Sequence, residues 1–141
     1  MVISLPIKVL AIDNDGYHLQ ASIIINGKKA NVIIDTGASR TVFDKERIKK
    51  FVKQKAEKIT DKLSTGLGTN SMESHQVVIS SMKIGRLKLK DYETVLLDLS
   101  HVNRSYEQIK LKPVDGVLGS DILRKHKAVI DYGKKKMRLI A

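Results

Sequence analysis

The chain is 141 residues long, with 42% hydrophobic residues and a formal net charge of +11. That length suits one domain with a buried core, predicted here to span residues 1–141. The absence of cysteine excludes a disulfide framework, a thiolate nucleophile and cysteine-ligated zinc. No apolar run reaches the ~20 residues that cross a bilayer, and residues 1–10 lack a signal-peptide pattern. We therefore expect no membrane segment in this chain and a cytoplasmic location.

The positive charge is concentrated in two lysine-rich stretches, residues 45–62 and 134–136. Such stretches can bind nucleic acid through its phosphates. The chain has no Trp, two Phe and four Tyr, which is too few aromatic residues for a platform that stacks bases. We therefore favour a solvated lysine-rich surface and expect no nucleic-acid partner. A basic nucleic-acid-binding β-barrel is the alternative that the charge leaves open.

The first third of the chain predicts a series of antiparallel strands. Residues 2–12 and 17–25 are apolar and β-branched, and Asp-Asn-Asp-Gly separates them as a turn signal. A second turn at Asn26-Gly27 is typical of a two-residue hairpin. It leads into residues 30–34, a β-branched run that ends at Asp35.

The remainder predicts more strands and little helix. Residues 44–58 carry apolar side chains at helical spacing behind a plausible N-cap, Asp44, and predict an amphipathic surface helix. Residues 100–113 are polar and predict a long connection. The expected class is mainly β with one or two short helices. Further strands are predicted at residues 76–84, 87–89, 92–99, 128–132 and 137–140. The last two of these are expected to form a hairpin around Gly133.

Asp35, Thr36 and Gly37 form the most informative motif in the chain. The preceding strand is expected to carry the carboxylate into the interior, and the two small residues let the backbone turn beneath it. A buried acid is costly unless it is compensated. In an enzyme the compensation can be a second carboxylate that shares one proton. This chain has the motif once, so the second acid would come from another copy of the chain.

Three segments resemble the aspartic proteases, especially the single-domain retroviral-type (retropepsin-like) group. Residues 33–39, Ile-Ile-Asp-Thr-Gly-Ala-Ser, resemble the catalytic signature, and residues 66–69, Gly-Leu-Gly-Thr, resemble the tip of the flap that closes over substrate. Residues 115–123, Asp-Gly-Val-Leu-Gly-Ser-Asp-Ile-Leu, resemble the second conserved element. Their order and intervals, together with residues 130–132, are similar to those of single-domain bacterial members. The resemblance extends from about residue 17 to the end of the chain.

This resemblance implies a closed, mostly antiparallel β-barrel with a β-hairpin flap, acting as a homodimeric aspartic endopeptidase on peptide or protein substrates. Asp35 and its symmetry mate would hold a water, with Thr36 bonding across the two-fold axis and Gly37 letting an amide approach the carboxylate. Gly119 and the two residues before it would support the turn. No metal or cofactor is implied. The implied substrate-binding residues are Ala38, Ser39, Gly66, Leu67, Gly68, Thr69, Val117 and Leu118.

The chain also departs from the retroviral pattern. Ser39 stands where viral members have an acid, and Ser120 stands where they have an arginine, so the ion pair near their dimer interface is replaced. Asp131 lacks a following small hydroxyl residue and is interpreted as a strand-end or turn residue rather than a second catalytic acid. The alternative function is a catalytically silent retropepsin-like dimer that binds peptides or acts as a scaffold.

Overall fold

The computed structural model describes residues 1–12, 14, 16–53, 57–59 and 74–141. Within these ranges lie eleven strands, one 3-10 helix and two α-helices. The strands are β1 Val2–Pro6, β2 Lys8–Ala11, β3 Tyr17–Ile25, β4 Lys28–Ile34, β5 Val42–Asp44, β6 Glu57–Ile59, β7 Ser74–Ile84, β8 Leu87–Leu97, β9 Gly116–Leu118, β10 Val129–Asp131 and β11 Lys136–Ile140. The 3-10 helix is Arg47–Lys50, and the α-helices are α1 Ser100–Gln108 and α2 Ser120–Lys125.

Six of the strands close into a barrel in the order β3-β4-β9-β5-β8-β7, and β3 pairs back onto β7. Four of the six pairs are antiparallel, whereas β4–β9 and β5–β8 are parallel. The predicted closed and mostly antiparallel barrel is therefore confirmed, and its two parallel pairs make it mixed. The parallel pair β4–β9 matters most for the site, because it aligns the end of β4 with the end of β9.

Alternating side chains build the barrel interior. In β3, Leu19, Ala21, Ile23 and Ile25 point inward and are buried, as expected for a strand with one face on a core. The hairpin from β3 to β4 turns at Asn26 and Gly27, with φ of 49° and 83°, which confirms the predicted two-residue turn. The largest fully buried side chains are Tyr106, Phe43, Ile23, Ile25, Ile79, Met82, Ile84, Leu96, Leu118, Ile122, Met137 and Leu139.

A second, three-stranded sheet brings the two ends of the chain together in the order β1-β11-β10. β1 pairs antiparallel with β11 from Val2↔Ile140 to Pro6↔Lys136. The β10–β11 hairpin turns around Gly133, as the sequence predicts. Met137 and Leu139 point into the core and are fully buried.

The amphipathic helix predicted over residues 44–58 is wrong in extent. Asp44 ends β5, residues 57–59 form β6, and the described residues between them contain only the short 3-10 helix. Strand pairing explains the difference, because Asp44 is held opposite Leu97 and Glu57 opposite Gln76. The apolar spacing still has a structural basis, because the Ile48 side chain on the 3-10 helix is buried in the core.

The long polar connection predicted over residues 100–113 is also wrong, because it contains α1. Two features stabilise this helix. Val102 and Tyr106, four residues apart, lie on its inner face, and Tyr106 is 1% exposed. Just before the helix, Asp98 Oδ1 accepts a hydrogen bond from the Ser100 backbone N–H at 2.9 Å. No helix in the described ranges is long and apolar enough to span a membrane.

Candidate active site

The Asp35 turn follows directly from the end of β4. The Asp35 backbone N–H donates to the Leu118 carbonyl at 3.0 Å, which continues the parallel β4–β9 ladder by one residue. The Ala38 N–H then donates to the Asp35 carbonyl at 3.2 Å, closing a tight turn. The strand and the turn together determine where the carboxylate lies.

Gly37 brings its backbone amide against that carboxylate. Its N–H donates to Asp35 Oδ1 at 2.9 Å, and a Cβ at position 37 would lie 3.3 Å from the same oxygen. This geometry agrees with the expectation that a glycine lets a backbone amide approach the Asp35 carboxylate closely. The expectation of a buried carboxylate does not hold for a single chain, because Asp35, Thr36 and Gly37 are all exposed.

Beneath the turn, β9 and α2 form its support. A Cβ on Gly119 would lie 2.5 Å from the Arg40 carbonyl carbon, so only glycine lets these two backbones approach. Gly116 is equally close-packed, because a Cβ there would collide with Phe43 Cδ1 and would lie 2.6 Å from the Val42 carbonyl oxygen. The β9 segment thus packs on the active-site loop by backbone contact.

A polar network that the sequence analysis missed ties the loop to α2. Asp121 Oδ1 accepts from the backbone N–H and the hydroxyl of Thr41, at 2.9 and 2.8 Å. Asp121 Oδ2 accepts from the Tyr92 hydroxyl at 2.5 Å. The Thr41 hydroxyl oxygen in turn accepts the buried Gly119 N–H at 3.0 Å. Burial and the hydrogen bond to Asp121 both raise the pKa of Tyr92, so the phenol remains a donor.

Ser39 and Ser120, which occupy the two positions where the retroviral pattern has an ion pair, lie next to each other. The Ser120 N–H donates to the Ala38 carbonyl at 2.8 Å, and the Ser120 hydroxyl donates to the Ser39 carbonyl at 3.4 Å. A neutral link through the backbone therefore joins these two segments, where the viral pattern has two opposite charges.

A groove of about 550 Å³ opens beside Asp35. Its described walls come from the start of β3, the end of β4, β9, helix α1 and the end of β10, and Asp35 is the only carboxylate among the described lining residues. The exposed side chains of Tyr17 and Tyr132 lie at its edges. The lining residues are Tyr17, His18, Leu19, Ile33, Ile34, Asp35, Thr36, Val102, Val117, Ile130 and Tyr132.

The structure places the predicted site residues in three groups. Asp35, Thr36 and Val117 line the groove. Leu118 is fully buried and reaches the loop through its carbonyl oxygen, and Ala38 and Ser39 are not among the lining residues. The predicted flap tip, Gly66, Leu67, Gly68 and Thr69, lies outside the described residues.

The sequence interpretation of Asp131 agrees with the structure. Asp131 ends β10, and its Oδ1 accepts the Lys134 N–H at 2.9 Å, so it is a turn residue. In the part of the chain that the structure describes, no three His, Asp or Glu side chains are grouped so that they could hold a metal ion.

Comparison with known structures supports the class of fold. A retropepsin-like aspartic protease from Rickettsia conorii is similar, with a TM-score of 0.59 and 22% identity over 99% of this chain and 90% of that one. The protease of EIAV, solved with the inhibitor HBY-793, matches with a TM-score of 0.54 and 20% identity over 82% of this chain and 93% of that one. The retroviral protease-like domain of Ddi1 from Leishmania major matches with a TM-score of 0.51 and 13% identity over 82% of each chain. The fold is retropepsin-like.

The sequence comparison identifies the family. The family model described as aspartyl protease matches residues 21–122, which include the Asp35 turn, the Thr41–Asp121 network and β9. None of the curated protein sequences matches significantly. The chain belongs to the aspartyl protease family.

Proposed function

We propose that this protein is an aspartic endopeptidase, active as a homodimer in which each chain contributes one Asp35. The observation that carries the proposal is the position of Asp35, which is exposed at a hydrogen-bonded turn and is the single carboxylate among the described residues that line a peptide-sized groove. Peptide hydrolysis by this chemistry needs two carboxylates. A second chain meeting the first at this turn would supply the other and cover the exposed Asp35 and Thr36.

The reaction follows from two carboxylates that share one proton. Two carboxylates at such a short distance cannot both ionise easily, so the pair holds one proton between them. The ionised carboxylate takes a proton from the water between them, while the protonated one donates to the scissile carbonyl oxygen. The Gly37 N–H, which donates to Asp35 Oδ1 at 2.9 Å, helps to hold one carboxylate in place. Thr36 would bond across the two-fold axis.

The substrate would lie extended in the groove, between the dyad and the flap that the resemblance implies for residues 66–69. The apolar side chains of Ile33, Val117 and Val102 along the groove suit hydrophobic residues next to the scissile bond. An extended peptide would bind as an added strand through main-chain hydrogen bonds. No cofactor takes part in this chemistry.

The decisive experiment is cleavage of a peptide library between pH 4 and 7 by the wild-type protein and by Asp35→Asn. We expect the variant to lose activity on the order of 10³-fold or more, since it removes the acid–base pair. Asp131→Asn is the matched control, because it changes another carboxylate at a strand end and should cut normally. Equal cleavage by wild type and Asp35→Asn would refute the proposal.

A second measurement tests the shared site. If the site forms only between two chains, specific activity falls on dilution and follows the dimer fraction measured by analytical ultracentrifugation. Activity that stays constant in a demonstrated monomer would contradict it. If a stable dimer binds peptides without ever cutting them, the silent peptide-binding function is correct.

A further inference from the structure

Of the described side chains that line the groove beside Asp35, His18 is the one imidazole. It is exposed near the start of β3, on the same face of that strand as Gln20. Helix α1 packs over this face and contributes Val102 to the groove and Tyr106 to the core. A polar ring therefore lies in a mostly apolar wall, next to the proposed catalytic carboxylate.

Tyr106 fixes the orientation of that ring. Its hydroxyl lies 2.7 Å from His18 Nδ1, and the two ring centroids are 5.8 Å apart with a 40° tilt. Tyr106 is 1% exposed, so it cannot swing away without leaving the core. The exposed imidazole is thus anchored through a buried phenol on a helix.

The same contact determines which ring nitrogen is free. Burial raises the pKa of Tyr106, which keeps its hydroxyl protonated. A phenol that donates to Nδ1 leaves the ring proton on Nε2, and a charged imidazole also carries a proton there. In the tautomer in which Tyr106 donates to Nδ1, Nε2 carries the ring proton and is the hydrogen-bond donor that His18 offers to a ligand.

We propose that His18 is a specificity-determining residue, which selects substrates carrying a side-chain oxygen acceptor of glutamine length in this groove, and that Tyr106 of α1 positions it. The inference rests on the proposed protease function, because the groove is the substrate site only if Asp35 is catalytic. Val102 and Ile33 receive the aliphatic part of such a side chain, and Nε2 receives its terminal oxygen. An apolar side chain of the same size would displace water from the His18 N–H without replacing that hydrogen bond, which penalises its binding.

The test compares two peptides that differ only in Gln or Met, placed in turn at each residue around the scissile bond and cut in competition in one tube. Competition gives the ratio of kcat/KM values and does not depend on how much of a variant is folded. At one position we expect wild type to prefer Gln by roughly tenfold. His18→Leu should abolish or reverse this preference, and Tyr106→Phe, which keeps the ring and removes the anchoring hydroxyl, should weaken it severalfold.

His101→Leu is the matched control. His101 is an exposed histidine on α1, the helix that carries Tyr106, and it is not among the residues that line the groove. It should leave the Gln-to-Met ratio unchanged. The same ratio in His18→Leu as in wild type would overturn the inference while leaving the protease function intact. If no peptide is cut, the protease function fails. The role of His18 is then tested by binding. The Kd values of the Gln and Met peptides are measured on Asp35→Asn and on the double variant Asp35→Asn/His18→Leu. Equal Gln-to-Met ratios for the two proteins would count against a role of His18.

Discussion

Thr41 and Asp121, 80 positions apart in the chain, meet through two hydrogen bonds to the same carboxylate oxygen. One comes from the Thr41 backbone and the other from its hydroxyl. Both residues are at the boundary between the Asp35 loop and α2, and Asp121 lies in the first turn of that helix. A carboxylate there is favoured by the helix dipole, so one side chain both stabilises α2 and holds the loop.

Removing the Thr41 hydroxyl should destabilise the fold. In Thr41→Val, Asp121 loses one donor and the buried Gly119 N–H loses its acceptor. An unsatisfied buried polar group costs about 1–3 kcal/mol, so we expect a loss of roughly 2–3 kcal/mol in urea unfolding. Thr41→Ser retains the hydroxyl and should lose less than half as much. Equal stability of the valine and serine variants would show that the hydroxyl contributes nothing.

Glycine substitutions should separate backbone packing from site geometry. Gly119→Ala places a methyl 2.5 Å from the Arg40 backbone, which cannot move independently of the loop. Overpacking of this kind costs about 1–3 kcal/mol or more, so a marked fall in Tm is expected. Among the atoms of the described residues, the new methyl of Gly37→Ala meets only Asp35 Oδ1, at 3.3 Å, so this variant should remain folded while it shifts the carboxylate. Thermal unfolding of both variants checks this order, and a larger loss for Gly37→Ala would contradict it.

The two inward-facing tyrosines make stability fall at alkaline pH. Burial raises the pKa of Tyr92 and of Tyr106, and the Asp121 hydrogen bond adds to the effect at Tyr92. A phenol with a raised folded pKa contributes its stability fully below its unfolded pKa of about 10. The contribution is lost as the pH rises from there through the folded pKa. Urea unfolding at pH 8, 10 and 11 should therefore show a decline, which becomes shallower in Tyr92→Phe. An unchanged slope in that variant would rule out Tyr92 as a cause.

One pair of lysines on the outer barrel surface opposes folding. Lys83 on β7 lies directly opposite Lys88 on β8, and Ile24 and then Lys29 continue the row across β3 and β4. None of these lysines forms an ion pair with another described residue. Like charges in cross-strand positions are destabilising, so Lys88→Glu should raise the free energy of unfolding by about 0.5 kcal/mol.

Two comparisons isolate the pairing in that prediction. Lys112→Glu makes the same change in net charge at an exposed position outside the strands, and should stabilise less. High salt should reduce the difference between Lys88→Glu and wild type, because exposed charges are screened. If both charge reversals act equally, net charge rather than the Lys83–Lys88 pair is responsible.

Local chemistry made the β-strands and the Asp35 turn predictable. The β-branched run before Asp35 and the Asn26-Gly27 hairpin specify their backbone without help from the remainder of the chain. The helices were harder. Ile48 and its apolar neighbours follow helical spacing, yet pairing of Asp44 with Leu97 limits them to one turn. In α1 the signal is only Val102 and Tyr106 at i and i+4, behind the Asp98–Ser100 bond.

Long-range contacts explain what the sequence could not show of the site. Thr41, Tyr92 and Asp121 are separated by tens of residues, and no local pattern indicates that they meet. The same holds for His18 and Tyr106, which are 88 residues apart. Thr41 directly precedes β5 and Asp121 follows Gly119 and Ser120. The long-range pairing of β5 with β9, Val42↔Val117, brings these two segments together.

The two ends of the barrel differ in how β3 is paired. β3 joins β7 only through Ile24↔Lys83 and Ile25↔Met82, beside the Asn26-Gly27 hairpin. Asp35 lies at the far end of β4 from that seam, where β3 pairs with β2 and, within the described residues, has no partner in β7. The barrel is therefore closed by β3–β7 hydrogen bonds at the end that holds the Asn26-Gly27 hairpin. A ligand that binds at the Asp35 end therefore leaves every hydrogen bond between β3 and β7 intact.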